Sequence, residues 1–475
     1  MRTSLRSVAK SQAFRLSVAA AVPTLVITAL FSTGAAGAAG AADKAAGAAG
    51  TAADRPDKVS SAVLATGDSP RDGAFGHWVG TWAAAPQLTE PSNMPPAPFT
   101  NGNLVFADST VRMSIHVTVG GRFIRLRFDN AYGGADLPIT NVSVARPAGG
   151  AAGVSAIVPG SSQTVTFDRR SAIDIPVGAN MISDPLDFPV ATNSNLTVTI
   201  YLSAGQASSS ITSHPGSRTT TYMMAGNHVT DADLPGAASV AHWYFLSGLE
   251  AWEPAQTAAI DVVGDSLTDG RGSTTNGDDK WTDQLFSRLQ ASRSTSDITV
   301  LNQGLGGNRI LNDGLGPNVL ARVDRDVLSQ SGVKWLIVYE GVNDIGTANA
   351  TQADQQKVAA DLIAALQQII TRAHAAGIKV YGATITPFGG NAGYDDPTGF
   401  REAARQTVNT WIRTSHVFDA VLDFDAAVRD PANPRQINPA FDVGDHLHLT
   451  PAGYGAIAAA VPVALFKQDQ AAGIQ

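Results

Sequence analysis

The stretch Ile260-Asp261-Val262-Val263-Gly264-Asp265-Ser266-Leu267-Thr268-Asp269 constrains this chain more than any other. An apolar run stops abruptly at Gly264, as a strand buried on both faces reads where it emerges at the end of a sheet. In open α/β sheets the chemistry gathers at strand carboxyl ends, so Ser266 stands where a nucleophile is useful. Further apolar strand candidates at 298–302, 334–340, 378–385 and 418–424 follow the one at 258–263. Between them lie helical stretches near 279–291, 317–330, 354–376 and 397–414. Thr351 with Asp354 reads as a capping box with Asp in the Glu position. Val358, Leu362, Leu366, Ile369 and Ile370 then recur near helical spacing until Gly377 stops the run. This alternation predicts a parallel sheet with helices on both faces.

A serine hydroxyl is a poor nucleophile until a neighbouring base takes its proton and a third group orients that base. Asp445-His446-Leu447-His448 offers both on one short loop. The Asp445 carboxylate can fold back onto the His448 Nδ1–H, leaving Nε2 for Ser266. Thr450-Pro451 reads as an N-cap and first helical residue, pinning this dyad against a last helix from Pro451 to about Lys467. Strand-like geometry would put His446 beside His448, where Asp442 or Asp445 could complete a zinc site. The preferred reading of His446 is a partly exposed loop residue, with no metal and no cofactor required.

Two more segments lie between the serine and the dyad: Asn302-Gln303-Gly304-Leu305-Gly306-Gly307-Asn308 and Gly341-Val342-Asn343-Asp344. Together with Gly264-Asp265-Ser266-Leu267 and Asp445-His446-Leu447-His448, they resemble the four sequence blocks of the SGNH (GDSL-type) ester hydrolases. The resemblance spans roughly residues 256–468. It implies a three-layer α/β/α sandwich, and a Ser266, Asp445, His448 triad with the Asp three residues before the His. It also implies an oxyanion hole of the Ser266 N–H, the Gly307 N–H and the Asn343 side-chain amide. The run of glycines leaves Gly304 and Gly306 as alternatives to Gly307. Asn343 has the composition of a turn residue as well, and Asp344 is expected to support the loop rather than to react.

The first half reads differently. From His77 to about Trp252, short alternating segments such as Val111–Val119 and Phe123–Phe128 are separated by Gly, Pro, Asn and Asp, which indicates an antiparallel β-sandwich or jelly-roll-like domain. Trp78–Pro86 resembles the opening of a secreted bacterial subgroup of SGNH proteins that carries such a domain in front. Trp78, Trp82, Tyr132, Tyr222, Trp243 and Tyr244 are either core residues or a sugar-stacking surface, and Arg112, Arg125 and Arg127 are expected on a solvated strand face.

At the amino terminus, Arg2, Arg6, Lys10 and Arg15 precede an apolar run from Val18 to Phe31 and then small residues, the layout of a secretory signal peptide. The expected organisation is a signal peptide over 1–42, an Ala/Gly-rich linker over 43–75, a β domain over 76–252 and a hydrolase domain over 256–475. The protein is expected outside the cytoplasm, extracellular or periplasmic, without a stable membrane anchor. Losing four basic residues with the signal moves the formal net charge from −8 to about −12, which argues against nucleic acid as a partner. With no cysteine, disulfides and thiol catalysis are excluded. The expected activity is that of a serine esterase on a small-molecule or polysaccharide ester, with short or carbohydrate-linked acyl groups. The alternatives are a lipase or phospholipase on long acyl chains and a non-catalytic carbohydrate-binding protein. The chemistry is expected to reside in residues 256–475.

Overall fold

The computed structural model describes residues 76–467, all within one compact unit, Thr66–Gln475. The expected signal peptide and linker lie outside the described residues. Among the described residues, no helix is long and apolar enough to cross a membrane.

The second half is built on a five-stranded sheet in the order Ile298–Gly304, Ala258–Gly264, Val333–Tyr339, Lys379–Ala383, Ala420–Leu422, with every neighbouring pair parallel. The first strand in sequence therefore lies second in the sheet. The chain reverses its direction of growth beside it, and such a switch point opens a crevice at the strand ends. Helices Trp281–Gln290, Gln352–Ala375, Phe400–Thr414 and Pro451–Ala460 flank the sheet and share one apolar core with it. Thr351 caps the long helix, accepting from the Asp354 N–H. Two expectations change. The last helix stops at Ala460 rather than near Lys467, because Pro462 cannot continue it and only a short 3-10 turn, Val463–Phe466, follows. The stretch expected as one helix near 317–330 is a short α-helix, Val319–Val323, running into a π-turn, Asp324–Leu328.

The first half consists chiefly of two antiparallel sheets, of five and six strands. Met113, Ile115, Val198 and Ile200 from one, and Ile124, Leu126, Phe128 and Leu249 from the other, belong to a single buried cluster. The arginines expected in solvent are not there. Arg112 is fully buried, donating to Thr199 Oγ1 and to the carbonyls of Ser155, His228 and Asp231. Arg125 and Arg127 both pair with Glu250 on the adjacent strand, and Arg125 also lies over the Trp78 ring. Alternation correctly put Arg125 and Arg127 on one face of their strand, but Arg112 stands on a strand of the other sheet, and neither face is open to solvent at Arg112 or Arg127. Trp78, Trp82, Trp243 and Tyr244 are core residues, with Trp82 and Trp243 packed edge to face.

The two halves are joined along strand His77–Ala83. The Gly80 N–H donates to the Ser331 carbonyl (2.9 Å) and the Gly80 carbonyl accepts from Thr299 Oγ1 (2.7 Å), while Val79 and Ala83 pack on Ala259 and Leu301. The helical turn after the first parallel strand packs equally closely on its neighbour: a Cβ at Gly304 would fall 2.3 Å from the Asp269 backbone nitrogen. Gly304→Ala must therefore move backbone. It is expected to cost about 1–3 kcal/mol of stability, the usual range for overpacking, measured by urea denaturation with the wild type as reference.

Candidate active site

Strand Ala258–Gly264 ends at Asp265, which caps a one-turn helix, Ser266–Asp269, by accepting from the Leu267 N–H at 2.9 Å. Ser266 is the first residue of that helix, so its N–H has no intrahelical acceptor. Position 264, two residues before the serine, is suited to glycine, since a Cβ there would lie 2.1 Å from Thr268 Oγ1 and 2.7 Å from the Tyr339 carbonyl oxygen.

Ser266 Oγ lies 2.8 Å from His448 Nε2, and His448 Nδ1 lies 2.7 Å from Asp445 Oδ2. A carboxylate only accepts, so Nδ1 donates and Nε2 presents its lone pair to the serine hydroxyl. Asp445 Oδ1 accepts in addition from the backbone N–H groups of Leu447 and His448, at 3.0 and 2.8 Å, which fixes the loop around the carboxylate. Burial would push the Asp445 carboxyl up, but the His448 backbone and ring N–H bonds outweigh it and hold it below the usual carboxylate range. For His448 burial wins. It lowers the ring below its ordinary value against the Asp445 bond, and the nearby Arg271 and Arg218 guanidiniums add to the effect.

His446 does not join this group. Its positive φ of 59° breaks the strand-like geometry that would have set it beside His448. It is exposed, and its Nδ1 pairs with Asp442 Oδ2 at 2.7 Å.

Ser266, Gly306, Gly307, Asn343 and His448 line one pocket, and Gly304 does not. Gly307 has a φ of 71°, a conformation that favours glycine. The Asn343 amide is fixed from both ends: Nδ2 donates to the Asn308 carbonyl (2.8 Å) and Oδ1 accepts from the Tyr394 hydroxyl (2.6 Å). One Nδ2 hydrogen remains for a ligand. Asp344 supports the loop, accepting from the N–H groups of Ile310 and Leu311 at 2.9 and 3.0 Å.

Sequence reading missed Tyr394, and it missed the share of the first half. Gln87, Glu90, Asn93, Arg218 and His242 also line this pocket. Asp269, three residues after Ser266, is buried against His214 Nε2 (3.0 Å) and Arg218 Nη2 (3.4 Å). A Cβ at Gly216 would lie 1.9 Å from Asp269 Oδ2. No local pattern announces these contacts, which join segments about 50 residues apart.

Residues 262–456 match the sequence model of the GDSL-like lipase/acylhydrolase family. That stretch is a GDSL-like lipase/acylhydrolase domain, and the protein is an ester-hydrolysing enzyme. No curated protein matches the chain. Among solved structures, an acetylxylan esterase from Geobacillus stearothermophilus is 21% identical, covering 43% of this chain and 91% of its own, with a TM-score of 0.32. A GDSL-like lipase from Bacteroides thetaiotaomicron is 16% identical over 42% of this chain and 84% of its own, with a TM-score of 0.31. An α/β hydrolase from the metagenome of Lake Arreo, Spain, is 18% identical over 43% and 92%, with a TM-score of 0.32.

The surroundings of His448 make a titration testable without substrate. Followed by NMR, His448 should titrate below the ordinary imidazole value of about 6.5. Arg271→Gln should raise it by removing a nearby positive charge. A midpoint at or above 6.5 in the wild type would contradict the burial argument.

Proposed function

We propose that the protein is a serine esterase in which Ser266 attacks the ester, His448 is the general base and acid, and Asp445 orients it. The observation that carries this reading is the continuous chain of hydrogen bonds from Ser266 Oγ through His448 to Asp445, at 2.8 and 2.7 Å. As Oγ bonds to the ester carbonyl carbon, its proton passes to His448 Nε2. The carbonyl oxygen becomes an oxyanion, met by the Ser266 and Gly307 N–H groups and the free Asn343 Nδ2 hydrogen. When the tetrahedral species collapses, the C–O bond to the alcohol breaks and Nε2 returns its proton to the leaving oxygen. Water then gives a proton to Nε2 and attacks the acyl-Ser266 ester, releasing the acid and restoring the serine. The lowered His448 value keeps the ring unprotonated, hence competent as a base, at neutral pH. Tyr394 is a positioning residue, because its hydroxyl determines which way the Asn343 amide faces.

The substrate class is an ester of a short acyl group, free or carried by a carbohydrate. The protein acts outside the cytoplasm, a reading that rests on the basic, apolar and small-residue order of its first 42 residues.

Ser266→Ala and His448→Ala should each remove several orders of magnitude of activity on a chromogenic short-chain ester, with circular dichroism unchanged. Asn343→Ala should lower kcat by about 10²–10³ with little change in KM, because its bond strengthens as charge develops. His446→Ala should keep most activity. Full activity in either of the first two variants would sink the assignment, and a rise in KM alone would make Asn343 a ground-state contact.

A further inference from the structure

The pocket over Ser266 has a cavity volume of about 550 Å³ and is lined from both halves of the molecule. The hydrolase half contributes Leu305, Leu315 and Leu447 together with Arg271 and Tyr394, and the β half contributes Gln87, Glu90, Asn93, Arg218 and His242. Glu90 is the most informative of these. It precedes the 3-10 turn Pro91–Asn93, and its carboxylate is held by the amides of Gln87 and Asn93, the latter at 2.9 Å. Among the described residues no cation lies within ion-pairing distance of it. Two neutral amides fix the orientation of this half-buried charge and leave acceptor capacity on both oxygens.

His242 stands in the same wall. Its Nδ1 lies 2.5 Å from the Pro215 carbonyl, which can only accept, so Nδ1 donates. Burial pushes the ring below its ordinary value, and in the neutral ring Nε2 carries the lone pair. The wall of the β half thus presents two acceptors, a carboxylate and an imidazole nitrogen, beside the nucleophile.

We propose that this wall is the subsite for the alcohol side of the ester, and that it selects a hydroxyl-rich alcohol, a sugar unit, through Glu90 and His242. The proposal rests on the reading of Ser266 as nucleophile. Sugar hydroxyls donate to both acceptors. The alkyl group of a simple aliphatic ester, its one hydroxyl already esterified, donates nothing and would desolvate the Glu90 carboxylate without replacing the lost water. A site built around hydrogen bonds rejects ligands that lack the matching groups more sharply than an apolar pocket rejects a wrong size.

The test compares wild type, Glu90→Gln and His242→Ala on acetylated xylo-oligosaccharides, 4-nitrophenyl acetate and acetylcholine. A hydrogen bond to a charged group is worth about tenfold or more in affinity. Glu90→Gln should therefore lower kcat/KM on the sugar ester, mainly through KM, at least about tenfold more than on the aryl ester, and His242→Ala, which removes a neutral acceptor, about twofold to tenfold more. Equal losses on both, or a larger loss on acetylcholine than on the sugar ester, would overturn the subsite. The second outcome would mean that Glu90 reads a cation. Calorimetric titration of Ser266→Ala with the oligosaccharide, with and without Glu90→Gln, decides the subsite independently of turnover. Weakening by at least about tenfold supports it, and unchanged or absent binding overturns it. A wild type that binds the sugar through Glu90 but hydrolyses none of the three esters would refute the serine-esterase reading alone.

Discussion

One buried guanidinium ties together the segments that make the site. Arg322, on the short helix Val319–Val323, has a side chain with no exposed surface. It donates to the Gly264 carbonyl (3.3 Å) at the end of the serine's strand and to the Gln303 carbonyl (2.8 Å) at the end of its neighbour. It also bonds Asn308 Oδ1 (3.0 Å) in the loop beyond. Its charge is met by Asp326 Oδ2 at 3.0 Å. A flat, rigid fork with five donors suits this task where a lysine would not. Asn308 then passes the order on, its carbonyl accepting from Asn343, whose other end is held by Tyr394. Removing one partner from a buried ion pair typically costs about 3–5 kcal/mol, because the remaining charge has no water. The loops of the site are therefore only as well placed as this side chain.

The same network reaches the β half. Asp326 Oδ1 also accepts from Arg325 Nε (2.7 Å), and Arg325 Nη1 donates to the Tyr132 hydroxyl (2.7 Å). Across the pocket, His214 links the Ala85 carbonyl to Asp269, one turn beyond Ser266. The β half thus contacts the site from two directions. Residues 256–475 alone would lose the His214 and Arg218 partners of Asp269 and the Tyr132 partner of Arg325, and would uncover Ala259 and Leu301. The chemistry was expected to belong wholly to that portion. The groups proposed to react do, but one wall of the pocket and the contacts that hold Asp269 do not.

What the sequence disclosed is what short-range physics controls. Strands buried on both faces read as apolar runs, and the runs from 258, 298, 334, 378 and 418 all contain parallel strands. Thr351 announces a cap because capping is decided within four residues. Asp445 and His448 are legible as a pair because one loop holds both. Arg112 was misread for the complementary reason: its acceptors lie more than 40 residues away, so nothing local distinguishes a buried, fully bonded arginine from a solvated one. Tyr394, Glu90 and His242 stayed hidden likewise. A wall assembled from loops of separate sheets leaves no period and no spacing to read.

The buried charges also set how stability depends on pH. Asp261 lies at the centre of the first parallel strand, fully buried, with neither carboxyl oxygen hydrogen-bonded. Burial and the neighbouring Asp326 raise its pKa well above the ordinary value, against the Arg322 charge. Burial acts the same way on Glu340, and on Asp265 and Asp344, pushed up to about 7 and about 6. A group whose native pKa exceeds its unfolded value of about 4 favours the native state fully only below that pH. Its contribution declines as pH rises toward the native value, because the unfolded chain releases the proton first. Asp261→Asn imitates the neutral carboxyl and cannot titrate. Its stability relative to wild type should therefore grow between pH 4 and pH 7, compared by urea denaturation at both. A constant difference would mean that Asp261 does not take up a proton on folding and that Arg322 neutralises it instead.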